Sequence, residues 1–111
     1  MEFNKIKIGD AIPISYKLRY ADTGAYLTQT GGTVFFTLKN LVSDSDDDAL
    51  ISKTVAGTST ETIIQLTHDD TKDLEEGQAW YDVRFVDSNN NPVTTDRAKI
   101  PIISTITQRV V

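Results

Sequence analysis

The chain has 111 residues, 39% of them hydrophobic and 24% charged, with a formal net charge of −5. That length and balance fit one folded domain, expected to span residues 1–111, and are too apolar for a disordered chain. The acidic balance and scattered Lys and Arg argue against nucleic acid and membrane surfaces as partners, and a chain without Cys excludes disulfides, thiolate chemistry and Cys-based zinc sites.

The opening "MEFNKIKIGD" holds no apolar stretch like the centre of a signal peptide, and no run approaches the ~18 apolar residues of a membrane-spanning helix. A soluble protein made in a cytoplasm is expected. Phe3, Ile6 and Ile8 make this end apolar, and Val110 and Val111 do the same at the other. Apolar ends either pair as strands with a neighbouring subunit or complete the sheet edges of their own chain.

Alternation with period two then dominates. In "IPISYKLRY", Ile12, Ile14, Tyr16, Leu18 and Tyr20 take one face, and Pro13 places the start of the strand on an edge or at a crossover. "ADTGAYLTQTGG" reads as a turn, a short extended piece and a second turn. "TVFFTLKNL" sends Val34, Phe36 and Leu38 inward, while Phe35 breaks the polarity of the other face, either covering an edge or meeting a partner.

The run "SDSDDDALISK" follows, with Asp44, Asp46 and Asp48 spaced like the first ligands of a calcium loop. Such a loop needs Gly at its sixth position and Glu at its twelfth, and here those are Ala49 and Val55. The run reads as a solvated hairpin tip whose charges discourage edge-to-edge association. No metal ligand is assigned.

"ALISKTV" turns Ile51 and Val55 to one face and sets Lys53 at a strand edge. "AGTST" reads as a hairpin-like turn, and "TIIQL" turns Ile64 and Leu66 inward. In "LTHDDTKDLEEG" the alternation stops. Thr67 and Asp70 resemble a capping box, so a short helical turn over residues 68–75 is expected, with Gly77 as its stop. "QAWYDVRFVD" buries Ala79, Tyr81, Val83 and Phe85 and leaves Trp80, Asp82 and Arg84 on the other face. The Tyr81 hydroxyl is expected to bond to nearby backbone, much as in a tyrosine corner. Trp80 is a core residue of a second face, an interface anchor or a platform for a sugar. "RAKIPIISTITQ" closes the pattern with Ile100, Ile102, Ser104 and Ile106 on one face, and Pro101 again suggests an edge. About seven short strands and one helical turn argue for an antiparallel β-sandwich, with a small barrel as the alternative.

The ordered features also resemble a known family. Gly9 and Asp10 open the pattern, and Thr30 and Gly31 precede Val34, Phe36 and Leu38. Leu66, Thr67, Asp70 and Thr71 come next, followed by Leu74, Gly77, Tyr81, Asp82 and Val83, with Thr107 near the end. In this order the chain resembles small immunoglobulin-like proteins of tailed-phage virions, above all the N-terminal domain of the phage baseplate upper protein family. The resemblance spans nearly the whole chain. It implies an immunoglobulin-like sandwich with a non-enzymatic structural role, as a tail, baseplate or fibre-attachment adaptor, located in the virion and working as a homo-oligomer or ring-bound subunit among other virion proteins. Longer members continue into a shaft or receptor-binding region. This sequence stops at Val111, so a stand-alone module is expected. Capsid decoration and carbohydrate-binding host adhesion are the alternatives.

Catalytic groups and cofactors are not expected. His68 is the one histidine, its acidic neighbours suit a helix N-terminus, and no nucleophile motif or facing carboxylate pair stands out. The candidate interface residues are Phe3, Ile6, Ile8, Phe35, Trp80, Arg84, Val110 and Val111.

Overall fold

A computed structural model describes residues 3–41, 43–95 and 97–104. The alternating segments form strands β1 (Ile6–Lys7), β2 (Ile12–Tyr16), β3 (Thr33–Lys39), β4 (Ile51–Ala56), β5 (Thr62–Leu66), β6 (Gly77–Val86), β7 (Pro92–Thr94) and β8 (Ala98–Ile103). The fold is mostly β. One sheet runs in the order β1-β8-β6-β3-β4, with β7 also on β6, and a second sheet holds β2 and β5. β7 and β8 share the side of β6 away from β3, pairing at Arg84–Val86 and Gly77–Tyr81 respectively.

The core follows from the alternation. Val34, Phe36, Leu38, Ala79, Val83 and Ile100 of the large sheet are fully buried, as are Ile64 and Leu66 of the small one. Side chains of one parity on each strand meet between the sheets, because successive residues point to opposite faces. The predicted buried rows of β3, β5 and β6 are all found. Leu18 only packs against the core and Tyr20 is 52% exposed, because β2 ends at Tyr16, short of the predicted strand.

The antiparallel expectation needs correcting. β1 lies parallel to β8, with Ile6 opposite Ile102 and Lys7 opposite Ile103. Alternation tells which way a side chain points but not which strand lies alongside, so the large sheet is mixed. A second correction concerns "AGTST". β4 pairs with β3 and β5 with β2, so this connection carries the chain from one sheet to the other and closes no hairpin.

Two local features fix that crossing. A Cβ on Gly57 would sit 1.9 Å from the Gln29 carbonyl oxygen, so the backbones touch where only glycine fits. Gln29 itself is fully buried. Its Nε2 donates to the Tyr16 carbonyl at 3.0 Å, and its Oε1 accepts from the Thr62 hydroxyl at 2.6 Å. A buried amide is tolerated because its polar atoms find partners, and here those partners lie on both strands of the small sheet.

The helical turn is shorter than predicted. Helix α1 covers His68–Thr71, and Gly77 opens β6 instead of stopping the helix. Its capping box is as read: Asp70 N–H donates to Thr67 Oγ1 at 3.3 Å, and Thr67 N–H donates to Asp70 Oδ2 at 2.7 Å. These bonds satisfy amides that a helix start leaves open.

Pro13 lies in β2, which among the described residues pairs with β5 alone, so it falls on an edge as expected. Pro101 precedes Ile102 and Ile103, where β1 joins β8, and so sits where β8 is paired on one side only.

Candidate functional site

Register brings the predicted surface residues of the middle strands together. On the outer face of the large sheet, Lys39, Trp80 and Lys99 form one row across β3, β6 and β8. Thr54, Phe35, Arg84 and Thr94 form another across β4, β3, β6 and β7. Thr37 and Asp82 lie between them. Phe35 and Arg84 are direct cross-strand partners, although they are far apart in sequence.

Trp80 is half-buried. Its cross-strand partners are Lys39 of β3 and Lys99 of β8, and Asp46 of the 3-10 turn Asp46–Asp48 lines the same hollow. The Lys99 ammonium lies over its ring, 5.3 Å from the centroid, a cation–π contact that holds both side chains on the surface. Beside Trp80 is a hollow of about 220 Å3 lined by Thr37, Lys39, Asp46, Asp82 and Arg97. Phe35 is 38% exposed. Arg84 Nε donates to Thr94 Oγ1 at 3.0 Å, which orients the guanidinium across the sheet.

The aspartate run sits at the tip of the β3–β4 hairpin, as predicted. Lys39 Nζ stands 2.8 Å from Asp46 Oδ1 and donates to the Asp44 carbonyl at 2.9 Å. The hydrogen bond from Lys39 to the Asp46 carboxylate, with the Lys39 charge, holds that carboxyl below the usual range. Asp44 accepts from the Leu41 N–H at 3.1 Å, and Asp48 accepts from the Ser45 hydroxyl at 3.1 Å. These carboxylates serve the turn itself. Among the described residues no group of three His, Cys, Asp or Glu is placed to hold a metal.

The N-terminal candidates go elsewhere. Phe3 and Ile6 are 7% and 0% exposed, and Ile8 packs against the same core. Phe3 meets Tyr81 edge-on at 4.9 Å and Phe36 at 5.7 Å. The Tyr81 hydroxyl donates to the Phe3 carbonyl at 3.3 Å, so it reaches backbone at the far end of the chain where nearby backbone was expected. Burial pushes the Tyr81 phenol up. The apolar N-terminal segment therefore completes the edge of its own sheet, and Phe3 and Ile6 offer a partner almost no surface. Val110 and Val111 lie outside the described residues.

His68 has a structural task. Its Nδ1 donates to the Gly9 carbonyl at 2.7 Å, and Thr71 Oγ1 donates to the Asp10 carbonyl at 2.7 Å. Both tie α1 to the link between β1 and β2.

Sequence reasoning missed Lys39, Arg97 and Lys99 as neighbours of Trp80. Their parity on the strands was readable for Lys39 and Lys99, but their proximity depends on strand order. Comparison of the chain with family models, with curated proteins and with solved structures finds no match in any of the three.

Proposed function

We propose that the chain is a non-enzymatic structural protein of a tailed-phage virion. In this reading it is an immunoglobulin-like sandwich that works as a tail, baseplate or fibre-attachment adaptor through protein–protein contacts. The order of motifs along the sequence is one support. The observation that carries the contact role is the outer face of β3 and β6, where Phe35, Trp80 and Arg84 share one open surface. Trp and Arg are over-represented among residues that dominate interface energies, and their placement on one sheet face lets them act together. The sheet beneath supplies rigidity, because every second residue of β3 and β6 is locked in the core.

A sugar-binding role would use the same Trp80. The polar hollow beside it is the observation in its favour. The Lys99 ammonium over the ring occupies space that a stacked sugar needs, so the protein-contact reading is preferred.

Electron microscopy of purified virions labelled against this protein tests the proposal. Label at a fixed position on the tail or baseplate is the expected result. Label on the head surface would favour capsid decoration, and particles without label would remove the virion role. Loss of particle attachment in Trp80→Ala, with glycan binding undetected in the parent protein, would separate protein contact from sugar binding.

A further inference from the structure

The two sheets meet along two seams, and these differ. Between β4 and β5 the chain itself crosses, with Gly57 pressed on Gln29 and the Lys53 ammonium 2.8 Å from Asp70 Oδ2. Between β1 and β2 no ladder forms among the described residues: β1 pairs only with β8, and β2 only with β5. The link at residues 8–11 holds one end together through His68 and Thr71. From there the two edges diverge and leave a groove of about 780 Å3, within the roughly 300–1,000 Å3 typical of built binding sites.

One wall of this groove is the edge of β2 and the other is β1 with the residues that lead into it. Consecutive residues line it on both sides, Phe3–Lys5 ahead of β1 on one and Ile12–Ser15 of β2 on the other. An unpaired strand edge offers backbone N–H and C=O groups to an extended chain. Pro13 removes one donor from the β2 wall, and on the β1 wall the Lys7 carbonyl already accepts from the Asp10 N–H at 3.1 Å, which leaves the residues ahead of Lys7 for pairing.

Charge says what kind of chain fits. In a protein of net charge −5, the groove is rimmed by Lys5, Lys7 and Lys17, with Asp10 as the one acidic lining residue among the described residues. Lys17 stands 3.9 Å from Glu61, whose carboxylate also accepts from the hydroxyl of Ser15 in the β2 wall, and its ammonium lies 5.4 Å from the centre of the Tyr26 ring. Lys5 and Lys7 are two apart and exposed, Lys7 in β1 and Lys5 just ahead of it. A strand laid beside them would present acidic residues at alternate positions to meet both.

We infer that the groove between β1 and β2 is a docking site for an extended acidic segment of a partner protein, which adds as a strand along the β1 edge. This inference is independent of the virion reading, because it rests on strand edges and lysines away from Trp80.

The test is selection of a library of random peptides of about twelve residues against the full chain, followed by amide chemical-shift mapping of the selected peptides. Acidic peptides should be enriched. They should shift the amides of residues 5–7 and 12–17 and bind about tenfold more weakly to Lys5→Glu/Lys7→Glu. Lys72→Glu, a charge change elsewhere on the surface, should leave binding unaltered. Enrichment of neutral or basic peptides, shifts confined to the Trp80 face, or no enrichment would each overturn the inference. Binding seen only after removal of residues 105–111 would assign the groove to the chain's own end and overturn it too. So would self-association abolished by Lys5→Glu/Lys7→Glu, which would make the occupant a second copy.

Discussion

The two seams between the sheets show how one fold can be sealed on one side and left open on the other. The β4–β5 side is closed by polar and steric devices: the Gly57–Gln29 contact, the bonds of Gln29 and the Lys53–Asp70 pair. The β1–β2 side is held at one end by α1, and otherwise relies on Phe3, which fills the core from the segment ahead of β1. Apolar burial supplies stability on both sides. Backbone pairing joins the sheets on neither side among the described residues, but on the first the crossing chain presses on Gln29 and on the second a groove rimmed by lysines remains.

The largest effect is expected where the open side depends on one side chain. Phe3→Ala removes a buried ring that touches Phe36 and Tyr81, and should cost about 3–5 kcal/mol in urea unfolding. A loss below about 1 kcal/mol would mean that the N-terminal segment is not held in the core, and would return Phe3 to the set of partner-facing residues.

On the sealed side, Gly57→Ala places a Cβ against a carbonyl that cannot swing away. A loss of about 2–3 kcal/mol is expected, with the midpoint of denaturation shifted and its slope unchanged. A neutral result would show that the crossing has slack, and would erase the contrast between the seams.

Asp70→Ala removes both the reciprocal cap of α1 and the ion pair with Lys53, and should cost about 1–2 kcal/mol. Burial pushes the Asp70 carboxyl up, but hydrogen bonds from Lys53 and Thr67 outweigh it, so its pKa lies below the ordinary carboxylate value. A group with a depressed folded pKa stabilises fully above its unfolded pKa, and that contribution disappears as pH falls through the folded value. The wild-type advantage over Asp70→Ala should therefore be present at neutral pH and shrink on acidification below the ordinary carboxylate range. An advantage that persists unchanged in acid would assign the effect to packing.

The smallest expected effect on stability is that of Phe35→Ala, on the outer sheet face and in neither seam. Its ring is 38% exposed, so thermal melting should shift by no more than the equivalent of about 0.5–1 kcal/mol. On the proposed contact role, binding to a partner protein should fall all the same. A large loss of stability would move Phe35 from the contact face into the fold.

The alternation along the chain was enough to assign most faces, because side-chain direction in a strand depends on parity alone. Val34, Phe36, Leu38, Ile64, Leu66, Ala79, Val83 and Phe85 could all be read as buried, and Phe35 and Arg84 as outward. The capping box at Thr67 and Asp70 was readable for a similar reason: it joins residues three apart and needs nothing from the rest of the fold. Which strand lies beside which was decided only by the tertiary structure. The parallel pairing of β1 with β8, the sheet-to-sheet crossing at Gly57 and the burial of Gln29 all join residues distant in sequence, and no local pattern encodes a partner. For the same reason the cations of β3 and β8 became neighbours of Trp80 only when those strands paired with β6, and Lys17 joined Lys5 and Lys7 only when the two sheets met.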